Sequence, residues 1–448
     1  MNNISKQLEL SALAVPEILL PAKSNDIKTW SVVACDQFTQ NRDFWSKLEK
    51  SIAKAPSTLN LIFPEVYLED GDKEERIKNI HETMRQYLFD ERETVFSKPW
   101  RAGVFVKRAT HSGTRLGMVA LIDLEKYDWN TGAKTMIRPS ERTIEERLPV
   151  RMEIRRNAPL ELPHIILLID DENNMLFPLL EKLTRGQECI YNCGLQSGGG
   201  SIQGHLLCRN TDWSLIAGFF TYFYRQAVTK YGEEDAFLFA VGDGNHSLAS
   251  AKAVWEEYKK AHSEDQDLME HPARWAMVEI ENVHDGAIAF EPIHRLLLGV
   301  KRENLINALK KLPDAVCKEV QNQEAALALV NEKDSGGNRY GLITKDQTFV
   351  FETSDVKTAT VALDPLLAEA LEQSAGGKID YVHEWKALLE AVNKNEAEDA
   401  SGILLPPFNR YTLFKTISES GPLPRKSFSM GAALEKRYYL EARRLFAV

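Results

Sequence analysis

The chain has 448 residues, and its 55 basic and 65 acidic side chains give a formal net charge of −10. A hydrophobic fraction of 44% and a charged fraction of 27% exclude a disordered, fibrous or collagen-like protein. Because the chain exceeds the usual domain length of ~100–200 residues, we expect two domains or one large elaborated domain. The acidic balance repels polyanions and no basic cluster offsets it, so nucleic acid is not an expected partner.

The sequence also indicates where the protein acts. Its longest apolar runs, residues 165–169 and 237–241, are far shorter than the ~20 residues of a membrane-spanning helix. The N-terminal residues lack the basic start, apolar core and cleavage site of a signal peptide. Five cysteines in so long a chain fit a reducing compartment. We therefore expect a cytoplasmic protein with a small-molecule substrate and no membrane partner, and the sequence leaves a homo-oligomer open.

Alternating strand and helix patterns predict an α/β protein with a mixed sheet. In chain order they predict a strand at 30–34, a helix at 42–53, a hairpin of strands at 102–107 and 118–123, a buried strand at 164–170, a helix at 212–231 and a strand at 236–241. From residue 291 the pattern changes to helices with short strands. This change predicts a nucleotide-binding catalytic domain at 1–295 and a C-terminal α/β subdomain at 296–448. The prolines of segment 422–428 predict an extended tail that folds back on the site.

The strongest chemical signal is a strand followed by a glycine-rich turn and a helix. The turn consists of Gly242, Asp243, Gly244, Asn245, His246 and Ser247. In the helix that follows, one apolar face is formed by Leu248, Ala251, Trp255 and Tyr258, and Ser247 is the expected cap. Because such a turn directs free backbone N–H groups and the positive end of a helix at one point, it favours a phosphate.

The polar residues of this turn add chemistry that a phosphate cradle alone lacks. Asp243 can hold Mg²⁺ or accept a proton, Asn245 supplies an amide donor, and His246 supplies an imidazole. The alternative is a tight turn in which Asp243 and Asn245 only satisfy the local backbone. The position after a strand favours a ligand site, since open α/β sheets bind ligands beyond the carboxyl ends of their strands.

Three further patterns leave alternatives open. The arginine-rich block at 135–156 is either a solvated helix face or a set of guanidinium groups for a phosphate or carboxylate. Four residues are either zinc ligands or buried thiols with a loop histidine: Cys189, Cys193, His205 and Cys208. The turn also nearly matches the dinucleotide fingerprint, with Ser247 at its third position, which keeps a dinucleotide-dependent oxidoreductase as a third functional candidate.

Several segments resemble a bacterial and archaeal family catalogued as domain of unknown function 1015. They are the turn at 241–249 and the segments 33–37, 137–142, 160–164 and 426–428. The turn is also similar to the phosphate-binding turn of the ParB/sulfiredoxin superfamily and to that of free-serine kinases, which have the sequence Asp-Gly-His-His-Arg. This chain departs from those kinases in having Asn245 in place of the first His and Ser247 in place of the Arg.

The resemblance implies a kinase that uses ATP or ADP and Mg²⁺ to phosphorylate the hydroxyl of a small metabolite, such as free L-serine. Its catalytic residues would be Asp36, Asp243 and His246, with Asp36 as the base, Glu65 as the second candidate for that role, and Asp243 as the metal ligand. The nucleotide would contact Gly242, Gly244, Asn245 and Ser247, with positive charge from Arg138, Arg142 and Lys426. The alternative is a ParB-like regulatory protein that binds a nucleotide and hydrolyses it slowly.

Overall fold

The computed structural model describes residues 2–23, 25–90, 95–332, 336–394 and 399–447. The strands are β1 (Leu13–Ala14), β2 (Glu17–Ile18), β3 (Trp100–Arg101), β4 (Gly103–Thr110), β5 (Gly113–Asp123), β6 (Ile137–Pro139), β7 (Leu160–Glu161), β8 (Ile166–Ile169), β9 (Tyr191–Gly194), β10 (Ser201–Leu207), β11 (Phe239–Asp243), β12 (Trp275–Asn282), β13 (Phe290–Pro292), β14 (His294–Leu298), β15 (Val316–Val320), β16 (Arg339–Ile343), β17 (Thr348–Glu352), β18 (Lys378–Val382), β19 (Ala400–Leu404), β20 (Phe428–Met430) and β21 (Arg443–Arg444). The α-helices are α1 (Asn2–Glu9), α2 (Ile27–Trp30), α3 (Arg42–Ile52), α4 (Lys73–Leu88), α5 (Leu148–Arg155), α6 (Leu176–Thr184), α7 (Asn210–Tyr231), α8 (Asn245–Ala261), α9 (Arg302–Leu309), α10 (Gln323–Val330), α11 (Ala359–Glu372), α12 (Trp385–Lys394) and α13 (Leu413–Ser420).

The chain divides into two compact units. The first unit consists of Met1–Ile288, Leu413–Pro422 and Ala433–Val448, and the second consists of Ala289–Thr412 and Leu423–Ala432. The last residues of the chain therefore belong to the first unit, together with the glycine-rich turn.

The first unit is built on a mixed sheet, as the sequence predicts. Its strand order is β6-β11-β8-β12-β5-β4-β10-β9, and β1 pairs with β5 beside this path. β11 runs parallel to β6 and β12 runs parallel to β8, whereas the other neighbours on the path are antiparallel. The predicted hairpin is confirmed as β4 and β5.

Alternate side chains of these strands enter two apolar clusters on opposite faces of the sheet, as a pleated strand requires. One cluster takes Val104, Val106, Val119 and Leu121. The other takes Phe105, Met118, Ala120 and Ile122, and it also receives Leu248, Ala251 and Trp255 of α8. The predicted apolar face of α8 is thus the face that packs on the sheet and fixes the direction of the helix.

The second unit has its own sheet, in the order β15-β17-β16-β19-β14-β18. One apolar cluster combines its strands with residues of α9 and α11, and another combines them with residues of α10 and α12. None of the helices in the described part of the chain is long and apolar enough to span a bilayer.

The strand predicted at residues 30–34 is wrong. Trp30 ends the short helix α2, which Asp26 caps by accepting from the backbone N–H of Lys28. Val33 forms only an isolated bridge with Tyr438, because the apolar residues of this segment are buried against the C-terminal part of the chain rather than in a sheet. Asp36 therefore follows an irregular segment.

Candidate functional site

The turn between β11 and α8 has the geometry of an anion-binding site. Gly244 precedes α8 with φ of 82° and ψ of 30°, a left-handed conformation that residues other than glycine rarely adopt. A Cβ atom there would lie 3.2 Å from the Cα of Ile165. The first backbone N–H groups of α8 have no acceptors within the helix, and they point out of its N-terminal end.

The prediction that Ser247 caps α8 is wrong. The helix begins at Asn245 and no side chain caps it, so Ser247 already lies inside its first turn. Its Oγ atom is 2.7 Å from Nε2 of His164.

Asn245 and His246 bind the segment that follows β6. The backbone N–H of Ser140 donates to Oδ1 of Asn245, and Nδ2 of Asn245 donates to Oγ of Ser140, both at 3.2 Å. The N–H of Ile144 donates to Nε2 of His246 at 3.2 Å. These two side chains hold the 140–144 segment beside the turn, and their contact with a phosphate stays a prediction.

One lysine pairs with the carboxylate of Asp243 and also acts electrostatically on that of Asp36. Nζ of Lys436 lies 3.3 Å from Oδ2 of Asp243, and the lysine side chain is only 7% exposed. Burial acts to raise the pKa of Asp36, but His164, a hydrogen bond from Gln37, Lys436 and Arg151 outweigh it and hold that pKa below its ordinary value. Asp36 is therefore an ionised carboxylate, stabilised by the positive charges around it.

His164 connects this turn to the segment that contains Asp36. Its Nε2 atom faces Ser247, and its Nδ1 atom is 3.0 Å from the hydroxyl of Tyr439. That hydroxyl donates to Sγ of Cys35 and accepts from the N–H of Cys35, both at 3.2 Å. Burial, with the carboxylates of Asp36 and Glu65, raises the pKa of Cys35 to about 12, so the thiol stays protonated at neutral pH.

Glu65 and Arg151 form an ion pair next to Asp36. The N–H of Glu65 donates to the carbonyl of Cys35 at 2.9 Å, and Nη2 of Arg151 binds Oε1 of Glu65. Burial, assisted by Asp36, raises the pKa of Glu65 although Arg151 opposes the shift. Two neighbouring carboxyl groups, Asp36 and Glu65, are thus shifted in opposite directions, a pattern that separates acid and base roles at functional sites.

The other predicted anion-binding residues are placed differently. Arg138 donates to the carbonyls of Thr135 and Asp235 at 2.9 and 2.8 Å and stacks on the ring of Phe237, toward the end of β11 opposite Asp243. Its predicted role in anion binding has no support in these contacts. Arg142 is exposed in the segment after β6. Lys426 lies in the second unit, where its carbonyl accepts from Nη1 of Arg295 at 3.1 Å.

The four potential zinc ligands are not brought together. Sγ of Cys189 lies 3.6 Å from Nε2 of His205, whereas Cys208 is exposed. Within the described ranges, no three His, Cys, Asp or Glu side chains are grouped so as to hold a metal.

Sequence reasoning missed four residues of this site as functional: Arg151, His164, Lys436 and Tyr439. Arg151 lies in the arginine-rich block, but nothing in the pattern separates it from Arg156, which makes an exposed ion pair with Glu257. His164 ends one of the segments that carry the family resemblance, which was the available signal. Lys436 and Tyr439 reach the site through contacts with residues far away in the sequence, which a local sequence pattern does not predict.

The family model described as protein of unknown function (DUF1015) matches residues 18–372. The chain belongs to this family. No curated protein matches it.

Solved structures similar to this DUF1015 protein include a free serine kinase in complex with AMP, at 11% identity and a TM-score of 0.37, covering 73% of this chain and 91% of the kinase. A conserved hypothetical protein from Pyrococcus furiosus has 11% identity and a TM-score of 0.35; the match covers 72% of this chain and 90% of the Pyrococcus protein. SbnI with a C-terminal truncation, from Staphylococcus aureus, has 12% identity and a TM-score of 0.32, covering 72% and 81%. Likeness at these TM-scores does not assign an activity.

Proposed function

We propose that this protein is a nucleotide- and Mg²⁺-dependent kinase that phosphorylates the hydroxyl of a small metabolite, with free L-serine as the first candidate. The observation that carries the proposal is the ion pair between Asp243 and the buried Lys436 beside a helix N-terminus, together with the effect of the same lysine in lowering the pKa of Asp36. This arrangement combines carboxylates, a cation and free backbone donors, which are the groups that phosphoryl transfer requires for positioning and charge neutralisation.

The phosphates of the nucleotide fit the turn at Gly244. Backbone N–H groups at the start of α8 and the positive end of the helix dipole favour an anion there, and Lys436 adds a full positive charge. Close approach of a phosphate to the backbone is possible because Gly244 has no side chain.

Asp243 is the residue that would hold Mg²⁺. A single carboxylate together with phosphate oxygens and water is a common magnesium environment, so the absence of a three-ligand cluster among the described residues is compatible with this metal. When bound, the ion would neutralise charge on the phosphate oxygens. Lys436 contributes charge neutralisation from the protein side.

Asp36 would orient the acceptor hydroxyl and accept its proton. Its lowered pKa keeps it ionised at neutral pH, whereas the raised pKa of Glu65 makes that residue the weaker candidate. A base of low pKa suffices here, because the transition state of phosphoryl transfer is loose and the proton leaves late.

The proposal is tested by two measurements on the full chain. Thermal shift with ATP, ADP, CTP and NAD, each with and without Mg²⁺, should show stabilisation by ATP and ADP that Mg²⁺ increases. Formation of ADP over many turnovers should then depend on an added hydroxyl acceptor, tested with L-serine, D-serine, L-threonine and glycerol. Stabilisation by NAD alone would contradict the proposal, and acceptor-independent hydrolysis would favour the regulatory alternative.

A further inference from the structure

A chain of hydrogen bonds leads from Ser247 to Cys35. Oγ of Ser247 is 2.7 Å from Nε2 of His164, and Nδ1 of the same ring is 3.0 Å from the Tyr439 hydroxyl. The hydroxyl in turn donates to Sγ of Cys35. A serine hydroxyl, an imidazole and a group that orients the imidazole are the parts of an activated nucleophile.

One arrangement of protons fits these contacts and serves the proposal below. In it the Tyr439 hydroxyl donates to Cys35 Sγ, and its oxygen accepts from Nδ1 of His164. The ring therefore carries its proton on Nδ1 and presents a lone pair on Nε2 to Ser247. The serine is then the donor to His164.

The environment of His164 keeps the ring available as a base. Burial holds its pKa below the usual 6.5, with Arg151 and Arg437 acting in the same direction and Asp36 and Asp243 opposing it. At neutral pH the ring is neutral.

We propose that Ser247 is a nucleophile, activated by His164, that takes up a phosphoryl group and passes it to the acceptor. The identity of the donor as a nucleotide rests on the proposed function. The position of Ser247 in the first turn of α8 places its Oγ at the end of the helix where a phosphate is stabilised.

The reaction balances in two steps. First, Oγ of Ser247 attacks the γ-phosphorus and its proton passes to Nε2 of His164. The bond from phosphorus to the β,γ-bridging oxygen breaks, and ADP leaves with the electron pair. Second, the acceptor oxygen attacks the same phosphorus and gives its proton to Asp36, while Ser247 Oγ departs and recovers its proton from the His164 imidazolium.

The experiment is acceptor-free labelling of the full chain with ATP carrying a labelled γ-phosphate, quenched in acid and mapped by mass spectrometry. We expect phosphoserine at position 247, approaching one per chain. Ser247→Ala should abolish the label, and His164→Asn should slow labelling by about 100-fold or more. Ser250→Ala is the matched control, because Ser250 lies one turn further along α8 and only donates to the carbonyl of His246.

A parallel arm uses a fluorophosphonate, which reacts with activated serines and needs no nucleotide. Labelling of Ser247 by the fluorophosphonate but not by ATP would support the nucleophile and contradict the nucleotide of the proposed function. Failure of both reagents to label Ser247 in a folded protein that still shows a thermal shift with ATP would overturn this inference and leave the proposed function standing.

Discussion

Lys436 and Asp243 form an ion pair with 3.3 Å between Nζ and Oδ2, although one residue lies in the C-terminal segment and the other in the middle of the sequence. The lysine is buried and also lowers the pKa of Asp36. The C-terminal segment thus supplies a positive charge that acts on both carboxylates.

Replacing Lys436 tests this role. Lys436→Met leaves the Asp243 carboxylate partly buried without its cation, so we expect the free energy of unfolding to fall by on the order of 3 kcal/mol, measured by urea denaturation. The matched control is Lys394→Met, because Lys394 pairs with Glu390 at 78% and 67% side-chain exposure. This substitution should leave the free energy of unfolding nearly unchanged. If both substitutions changed the free energy of unfolding equally, the buried Lys436–Asp243 pair would contribute no more to stability than an exposed pair does.

Asp36→Asn tests the base of the proposed kinase. We expect turnover to fall by about 100-fold or more with nearly unchanged nucleotide affinity, because Asp36 acts on the acceptor and not on the donor. Turnover is followed by ADP release and affinity by titration calorimetry. Asp26→Asn serves as the control, since the Asp26 side chain accepts from the N–H of Lys28 and the hydroxyl of Thr29, two residues of α2. A matching loss of nucleotide affinity in Asp36→Asn would place Asp36 at the phosphates instead.

Gly244→Ala tests the turn. The alanine must adopt φ near 82° with its Cβ close to Ile165, so we expect a loss of about 1–3 kcal/mol in unfolding free energy and weaker nucleotide binding. Gly218→Ala is the contrast: Gly218 lies within α7 with no atom within 4 Å of its Cβ position, and the change should stabilise by roughly 0.5–1 kcal/mol. If Gly244→Ala changed neither the free energy of unfolding nor nucleotide binding, glycine would not be required at this position.

The second unit should be sensitive to acid through His294. Burial, with Arg295 and His383, lowers the pKa of His294 to about 4, and its Nδ1 accepts from the N–H of Leu405 at 3.2 Å. Because the folded pKa lies below the ordinary value of 6.5, this contribution to stability is present above pH 6.5 and is lost as the pH falls toward 4.

At about 1.4 kcal/mol for each pH unit between the two values, the loss amounts to roughly 3 kcal/mol. Hydrogen exchange of peptides from β14 and β19, corrected for the intrinsic rate, should show the loss of protection. His294→Asn keeps an acceptor for Leu405 but does not titrate, so its protection should depend less on pH. If the hydrogen-exchange protection of the wild-type protein and of His294→Asn depended on pH in the same way, His294 would not be the source of the acid sensitivity.

The sequence predicted the local part of the site better than its distant part. β11, the turn and α8 follow from signals within one short stretch: an apolar run, two glycines and an apolar face at helical spacing. Asp36 came from a predicted strand that does not form, yet its pKa is lowered by His164 and by Lys436, the lysine that pairs with Asp243. The apolar character of that segment reports burial and does not distinguish a strand from an irregular buried segment.

The arginines show the limit of reasoning from residue type. Arg138 and Arg151 lie in the same basic block. Arg138 donates to two backbone carbonyls and stacks on an aromatic ring, whereas Arg151 pairs with Glu65 and lowers the pKa of Asp36. Which of two arginines faces an anion depends on the direction of each side chain after the chain has folded. That direction is set by tertiary packing, which a local pattern does not contain.

The return of the C-terminal segment has a consequence for protein synthesis. A nascent chain that has emerged only as far as residue 432 carries Ser247, His164 and Asp243, but neither the ammonium of Lys436 nor the hydroxyl of Tyr439 that orients the imidazole. During translation the site therefore stays without this cation and this hydroxyl until residues 436–439 have left the ribosome. The two groups are added almost 200 residues after Ser247.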